Sequence, residues 1–338
     1  MNSYPKTFAD LPSYQDLPNK QQYWPYPKGS ARESEGMVGL LTPEHIAQCA
    51  ASEIRTGERV NLEMPVQEVA VPFFNRKGAQ VDIHYNPFPV AFDDEIYFNP
   101  QAGSQWDGFR HHSQPLTLTA GVTPAHKTAL PENEQYVWYG GTKGSEIAFP
   151  GSDRLGIGYL AQKGIIGRGV LLDYARWAEE QGIQYSCFER HAIPVAHLKQ
   201  IVTDYQIELR YGDILCIRSG TTMQLRKLSI PLPDINSSEP RAIGVEQSDE
   251  LFEWIWNNHF CGLVGDALAF EAFPSPSETL SLHFTCLAGW GIPIGELFDL
   301  EALAVKCHEL RRYSFFFVSI PINVIGGVSS PPNAVAIF

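Results

Sequence analysis

No apolar run in the sequence approaches the roughly 20 residues a membrane-spanning helix requires, and no block of lysine and arginine is present anywhere along it. The first absence argues against a membrane span. The second matters because the 338 residues carry a formal net charge of -13. Such a chain repels phosphate backbones and anionic lipid, and nothing basic offsets this locally. Neither nucleic acid nor a membrane is an expected partner. The opening MNSYPKTFADLPSYQDLPNK also lacks the charged and then apolar regions of a secretory leader. The expectation is a soluble, cytoplasmic protein.

Cysteine is sparse and unpaired in pattern. Cys49, Cys187, Cys216, Cys261, Cys286 and Cys307 are scattered with no C-x-x-C, which argues against a zinc knuckle or a dense disulfide framework. They read as small buried hydrophobes. Cys286, three residues past His283, lies in an apolar run that suits packing better than nucleophilic chemistry.

Hydrophobic residues, by contrast, make up 44% of the chain, enough for a substantial core. Residues 1–40 are rich in Pro, Tyr and Ser without periodicity and read as an N-terminal arm, either packed on a body or mobile. Residues 41–338 read as one α/β domain. Thr42-Pro43-Glu44 is a helix start. NLEMPV, VAVPFF, VDIHYNPF and DDEIYFNP look β-like, GIIGRGVLLD, ILCIRSG and CGLVGDALAFE look like buried strands, and SLHFTCLAGWG looks like a short helix closed by glycine.

One stretch concentrates polar, aromatic and titratable side chains around glycines: QAGSQWDGFRHHSQP, residues 101–115. Gln101, Gln105, Asp107 and His111 stand at spacings of four, two and four, as ligands on a metalloenzyme strand and loop would, although two of them are glutamine. Trp106, Phe109 and Trp290 could sandwich a planar substrate. Arg110 could pair with a substrate carboxylate. Of the adjacent His111 and His112, only one is expected to face a pocket, and the spacing from Asp107 favours His111. The remaining histidines read as surface or core groups.

GRGVLLD (167–173), YGDILCIRSG (211–220), GLVGDALAFE (262–271), His283 and PIGELFDLEAL (293–303), in this order with the 101–115 stretch, resemble the cyclase superfamily, and in particular its longer fungal members. That superfamily includes metal-dependent kynurenine formamidases and isatin hydrolases. The resemblance implies a swivelling β/β/α type of fold, a mixed sheet with surrounding helices, assembled as a homodimer or homotetramer. It also implies a signature H-x-G-T-H-x-D-x-x-x-H, in which two histidines and the aspartate bind metal and the last histidine moves protons. Here Gln101 and Gln105 replace the two histidines, Ser104 replaces the threonine, and Asp107 and His111 are kept. His283 and Glu296 match the downstream ligand positions.

A glutamine amide offers a neutral carbonyl oxygen where a histidine offers a strong nitrogen lone pair. No cofactor is therefore the expectation, the alternative being Zn, Mn or Mg at Asp107, His283 and Glu296. In the metal-free reading His111 is the general acid/base, Asp107 or Glu296 orients it with His283 nearby, and Gln101 and Gln105 donate amide N–H groups to a substrate. Arg168, Asp173, Asp213 and Arg218 read as scaffold. The function expected is that of a small-molecule enzyme related to amide and lactone hydrolases, acting at a carbonyl of a cyclic or aryl amide-like compound. The alternatives are a metal-free cyclase, dehydratase or isomerase, and an inactive ligand-binding descendant.

Overall fold

The computed structural model describes residues 4–69, 72–118, 134–148, 151–228, 240–277 and 279–338. Its centre is a nine-stranded mixed sheet. Ile165–Asp173, Ile214–Arg218, Gly262–Gly265 and Ile294–Glu296 run parallel side by side. Parallel strands covered on both faces read as near-continuous apolar runs, which is why IIGRGVLLD, ILCIR and GLVG are legible as strands. Beyond Ile165–Asp173 the sheet continues antiparallel through Ser314–Ser319, Ala334–Ile337 and Arg59–Asn61. On the other side, Gln105–Asp107 pairs antiparallel with Ile294–Glu296, and Ser329–Ser330 closes that edge.

Helices Pro43–Glu53, Tyr174–Glu180, Val195–Asp204, Asp249–Asn257 and Glu301–Leu310 surround the sheet. Thr42 caps the first through its side chain, which accepts from the backbone N–H of His45. The mixed α/β class, a large sheet with surrounding helices, is as expected. CGLVGDALAFE differs in part, since only its first residues are extended. Asp266 then turns away, and its carboxylate accepts from the backbone N–H groups of Ser219, Gly220 and Thr221. Of the expected NLEMPV and VAVPFF strands, only Arg59–Asn61 forms, and part of VAVPFF lies outside the described residues.

The described part of the N-terminal segment lies on the body of its own chain. Phe8, Leu11, Tyr14, Leu17, Tyr26, Met37, Val38 and Leu40 are buried in the main core. Asn257 accepts the Tyr14 backbone N–H, and Trp256 Nε1 donates to the Pro12 carbonyl. All six cysteines are buried and free, and burial raises the Cys286 thiol far above its ordinary pKa. None of the helices among the described residues is long and apolar enough to cross a membrane.

The residues read as scaffold form buried ion pairs. Arg168 bonds Glu53 and Asp213, and Arg218 bonds Asp173 and Glu301. A 370 Å³ cleft lies beside the second network. In its wall, His308 Nε2 lies 3.0 Å from Asp173, and His308 Nδ1 lies 2.8 Å from the Tyr313 hydroxyl behind it.

Candidate active site

Strand alternation sorts the 101–115 stretch. Glu296 and Gln105 are direct cross-strand partners, so their side chains share a face, and Asp107, two residues on from Gln105, shares it too. Trp106 must then point the other way. It is fully buried against Phe298 and Phe317, and its Nε1 donates to Ser319 Oγ at 2.9 Å. Gly108 lets the next turn pass, since a Cβ there would lie 2.9 Å from the Val328 carbonyl oxygen and 3.0 Å from Ile157 Cδ1. The His111 N–H closes that turn on the Gly108 carbonyl at 2.9 Å.

On the shared face, Gln105 Nε2 donates to Glu296 at 2.8 Å and to Asp107 at 3.2 Å. Gln101 Nε2 donates to Asp107 at 2.7 Å and lies 3.1 Å from His111 Nδ1. Arg76 donates to the Gln101 carbonyl at 2.8 Å and faces Gln105 Oε1 at 3.5 Å. Carboxylates only accept and guanidinium only donates, so charge fixes the Gln105 amide in this orientation. The glutamines therefore spend their N–H groups on Asp107 and Glu296 rather than presenting them to a substrate, a correction to the sequence reading.

His283 precedes the π-helical segment Phe284–Trp290, which Gly291 closes at φ 69°. Its Nδ1 lies 2.7 Å from Glu271 and its Nε2 3.0 Å from Glu296. Glu271 also accepts from Ser281 Oγ at 2.9 Å and from the backbone N–H groups of Leu282 and His283 at 2.8 and 3.1 Å. Burial opposes charge on His283, but the two carboxylate hydrogen bonds outweigh it and raise its pKa well above the ordinary imidazole value. Burial likewise opposes charge on Glu271, and there too the bond to His283 wins and lowers the pKa. Glu296 goes up to about 7, through burial and then the negative Asp107, with His283 pulling against them. His111 goes down, chiefly through burial and against the opposing pull of Asp107.

These groups border a cavity of 220 Å³. His111, His112, His283, Glu271, Glu296 and Arg76 supply its polar wall, and Phe74, Leu268 and Phe273 its apolar one. His112 is a correction, because both adjacent histidines reach the cavity. In a tight turn, unlike a strand, consecutive side chains need not diverge. Burial and the neighbouring His283 hold His112 down to about 4.

Other sequence candidates lie elsewhere. Ser104 Oγ donates to the Leu297 carbonyl at 2.5 Å and accepts the Met64 N–H, a structural clasp. Phe109 stacks on Tyr139. Arg110 is committed to the carbonyls of Arg154, Gly326 and Ser152. Trp290 packs on Trp256 in the core. None of these, nor Trp106, lines the cavity. Glu271, Arg76 and Phe74 carried no sequence signal as site residues, although Glu271 closes the GLVGDALAFE landmark.

Asp107, His111 and His283 each offer one ligating atom within 4.8 Å of the others. Amide hydrogens and carboxylates stand beside these three atoms. The Gln101 amide nitrogen lies between Asp107 and His111, and its hydrogens would face the ion. His283 directs both ring nitrogens at carboxylates.

The Cyclase family model, described as "Putative cyclase", matches residues 60–272. The chain belongs to this family. A solved structure described as a novel cyclase aligns with this cyclase-family chain at 26% identity and a TM-score of 0.76, covering 94% of this chain and 99% of the other. Isatin hydrolase A from Ralstonia solanacearum shares the fold at 14% identity and a TM-score of 0.56, over 87% of this chain and 95% of that one. An isatin hydrolase bound to the product analogue thioisatinate shares it at 12% and 0.52, over 86% and 94%. No curated protein gives a significant sequence match.

Proposed function

We propose that this cyclase-family enzyme carries out acid/base proton transfer, without a metal ion, at a carbonyl of a small cyclic or aryl amide-like compound, as in ring closure, dehydration or isomerisation. The observation that carries this reading is the Gln105 amide donating to both Asp107 and Glu296. Two acids whose family counterparts bind a cation are here held by amide N–H groups and the His283 imidazole. His111, on the cavity wall with its pKa depressed, takes the proton. Glu296, whose carboxyl titrates near neutrality, returns one to the reacting oxygen. Arg76 stabilises developing negative charge from the same wall. Amide or lactone hydrolysis is the second reading, favoured by the fold shared with isatin hydrolases.

The test is a mass-spectrometric panel of open-chain hydroxy and keto amides beside N-formyl and ring amides, run with a chelator present. Conversion of an open precursor supports the proposal. Hydrolysis of a ring amide that needs added metal overturns it.

The pH profile gives a separate check. kcat/KM should rise as His111 loses its proton, below the ordinary imidazole value of 6.5, and fall as Glu296 loses its own near 7. The folded state keeps a proton on Glu296 that the unfolded chain releases from 4.5 upward, so this group's stabilising contribution declines as pH rises from there towards 7. His283, also raised, contributes fully below the unfolded value of 6.5 and loses its contribution as pH rises through the folded one. Below 6.5 the lowered His111 and His112 work the other way and add stability as pH rises, so the net fall in denaturant midpoint is expected from about pH 6.5 to about pH 8. An unchanged midpoint contradicts these protonation states.

A further inference from the structure

A second cleft, of 360 Å³, gathers five arginines in a chain of net charge -13. It shares no lining residue with the candidate active-site cavity. Arg55 follows helix Pro43–Glu53, Arg311 and Arg312 follow helix Glu301–Leu310, Arg210 precedes strand Ile214–Arg218, and Arg168 comes from the strand paired with it. Only Glu53 and Glu208 bring carboxylates to the wall. The ion pairs here, Arg168 with Glu53 and Asp213 and Arg210 with Glu208, leave Arg55, Arg311 and Arg312 without a carboxylate partner among the described residues. Burial and then the like charge of Arg55 hold the Arg312 guanidinium below its ordinary pKa.

The backbone answers part of this charge. Helices Pro43–Glu53, Val195–Asp204 and Glu301–Leu310 all end at the cleft, and each C-terminus is equivalent to about half a negative charge. Arg55 Nε and Arg312 Nη1 donate to carbonyls of the first of these ends, those of Ser52 and Glu53. Against three unpaired guanidiniums, roughly one and a half positive charges stay unanswered. Arg311 stands apart, because it caps its helix at φ 47° and ψ 40°, a left-handed position that glycine takes without strain and a side chain does not. The backbone alone favours glycine there, so the guanidinium is what the position gains.

We infer that this cleft binds the dianionic phosphate group of a small phosphate monoester. Such a group carries about -1.5 to -2 charges near pH 7 and three strong acceptor oxygens, which matches the unanswered charge. Guanidinium forks pair with phosphate oxygens bidentately. The stacked rings of Tyr205 and Tyr313, with centroids 4.9 Å apart, wall the same cleft and offer a surface to the rest of the ligand. A concave site on an acidic chain suits a small free ligand better than an anionic lipid surface.

Isothermal titration calorimetry of the full chain with inorganic phosphate, at constant ionic strength, tests this. The expected result is one ion per chain with a dissociation constant below about 1 mM. Affinity should fall about tenfold or more in Arg55→Gln and in Arg311→Gly, and stay unchanged in Lys28→Gln, which removes an exposed cation elsewhere. Arg311→Gly should melt no lower than the parent, since glycine relieves the left-handed position, so binding lost there is not folding lost. Glycerol 3-phosphate should bind at least as tightly as phosphate. No saturable binding up to ~20 mM phosphate, equal weakening in Lys28→Gln, weakening in Arg76→Ala alone, or phosphate binding that excludes glycerol 3-phosphate each overturns the inference. Capture by phosphatidic acid vesicles while glycerol 3-phosphate fails to bind assigns the cleft to a lipid surface and also overturns it.

Discussion

Replacing His111 by alanine is expected to lower kcat/KM by more than about a hundredfold, the usual range for a lost general base, while the unfolding midpoint stays close to that of the parent. The ring lies on the cavity wall with the Gln101 amide at 3.1 Å and the Asp107 carboxylate at 3.6 Å, and Asp107 keeps the amide N–H groups of Gln101 and Gln105 when the ring is lost. Truncation therefore strands no buried charge. His112→Ala, in the same cavity, separates a chemical role from a lining one. If His111→Ala turns over normally while His112→Ala does not, the proton moves through the wrong residue in this account.

The second large effect falls on stability. His283 lies between Glu271 and Glu296, at 2.7 and 3.0 Å, and Glu271 is held below its ordinary range chiefly by that histidine, against the pull of burial. His283→Ala removes the positive partner and leaves a buried carboxylate uncompensated, which costs about 3–5 kcal/mol in comparable cases. Denaturant unfolding measures it directly. Arg176→Ala, which breaks the exposed pair with Glu180, should stay within about 0.5 kcal/mol of the parent. A His283→Ala loss no larger than that of Arg176→Ala would show that His283 does not carry the charge assigned to it.

Much of this site could be read from the sequence because strands impose period two. Gln105 and Asp107 share a face, and Glu296, which only the family resemblance assigned to the site, is brought beside Gln105 by strand pairing. The same rule sends Trp106 into the core, where proximity in sequence had suggested a substrate contact. Phe109, Arg110 and Trp290 mislead for a related reason. Each stands next to a site residue in the chain, yet each is committed to a different neighbour in space. Glu271 was invisible as a partner because twelve residues separate it from His283, and only the turn after Gly262–Gly265 brings them together. Arg76 and Phe74 sit in an irregular segment with no periodicity to read. The buried strands were legible through their apolar runs, whereas the N-terminal segment has no repeat that could announce its place in the core.

The central claim is that the glutamine amides and His283 do in this chain what a cation does at the family's signature positions. The direct measurement is metal per chain by elemental analysis, on protein purified without chelator or histidine tag, with turnover recorded on the same sample. The account predicts metal far below one equivalent and turnover unaffected by chelator. Near-stoichiometric zinc or manganese that is lost in Glu296→Ala, with turnover lost alongside it, would contradict it.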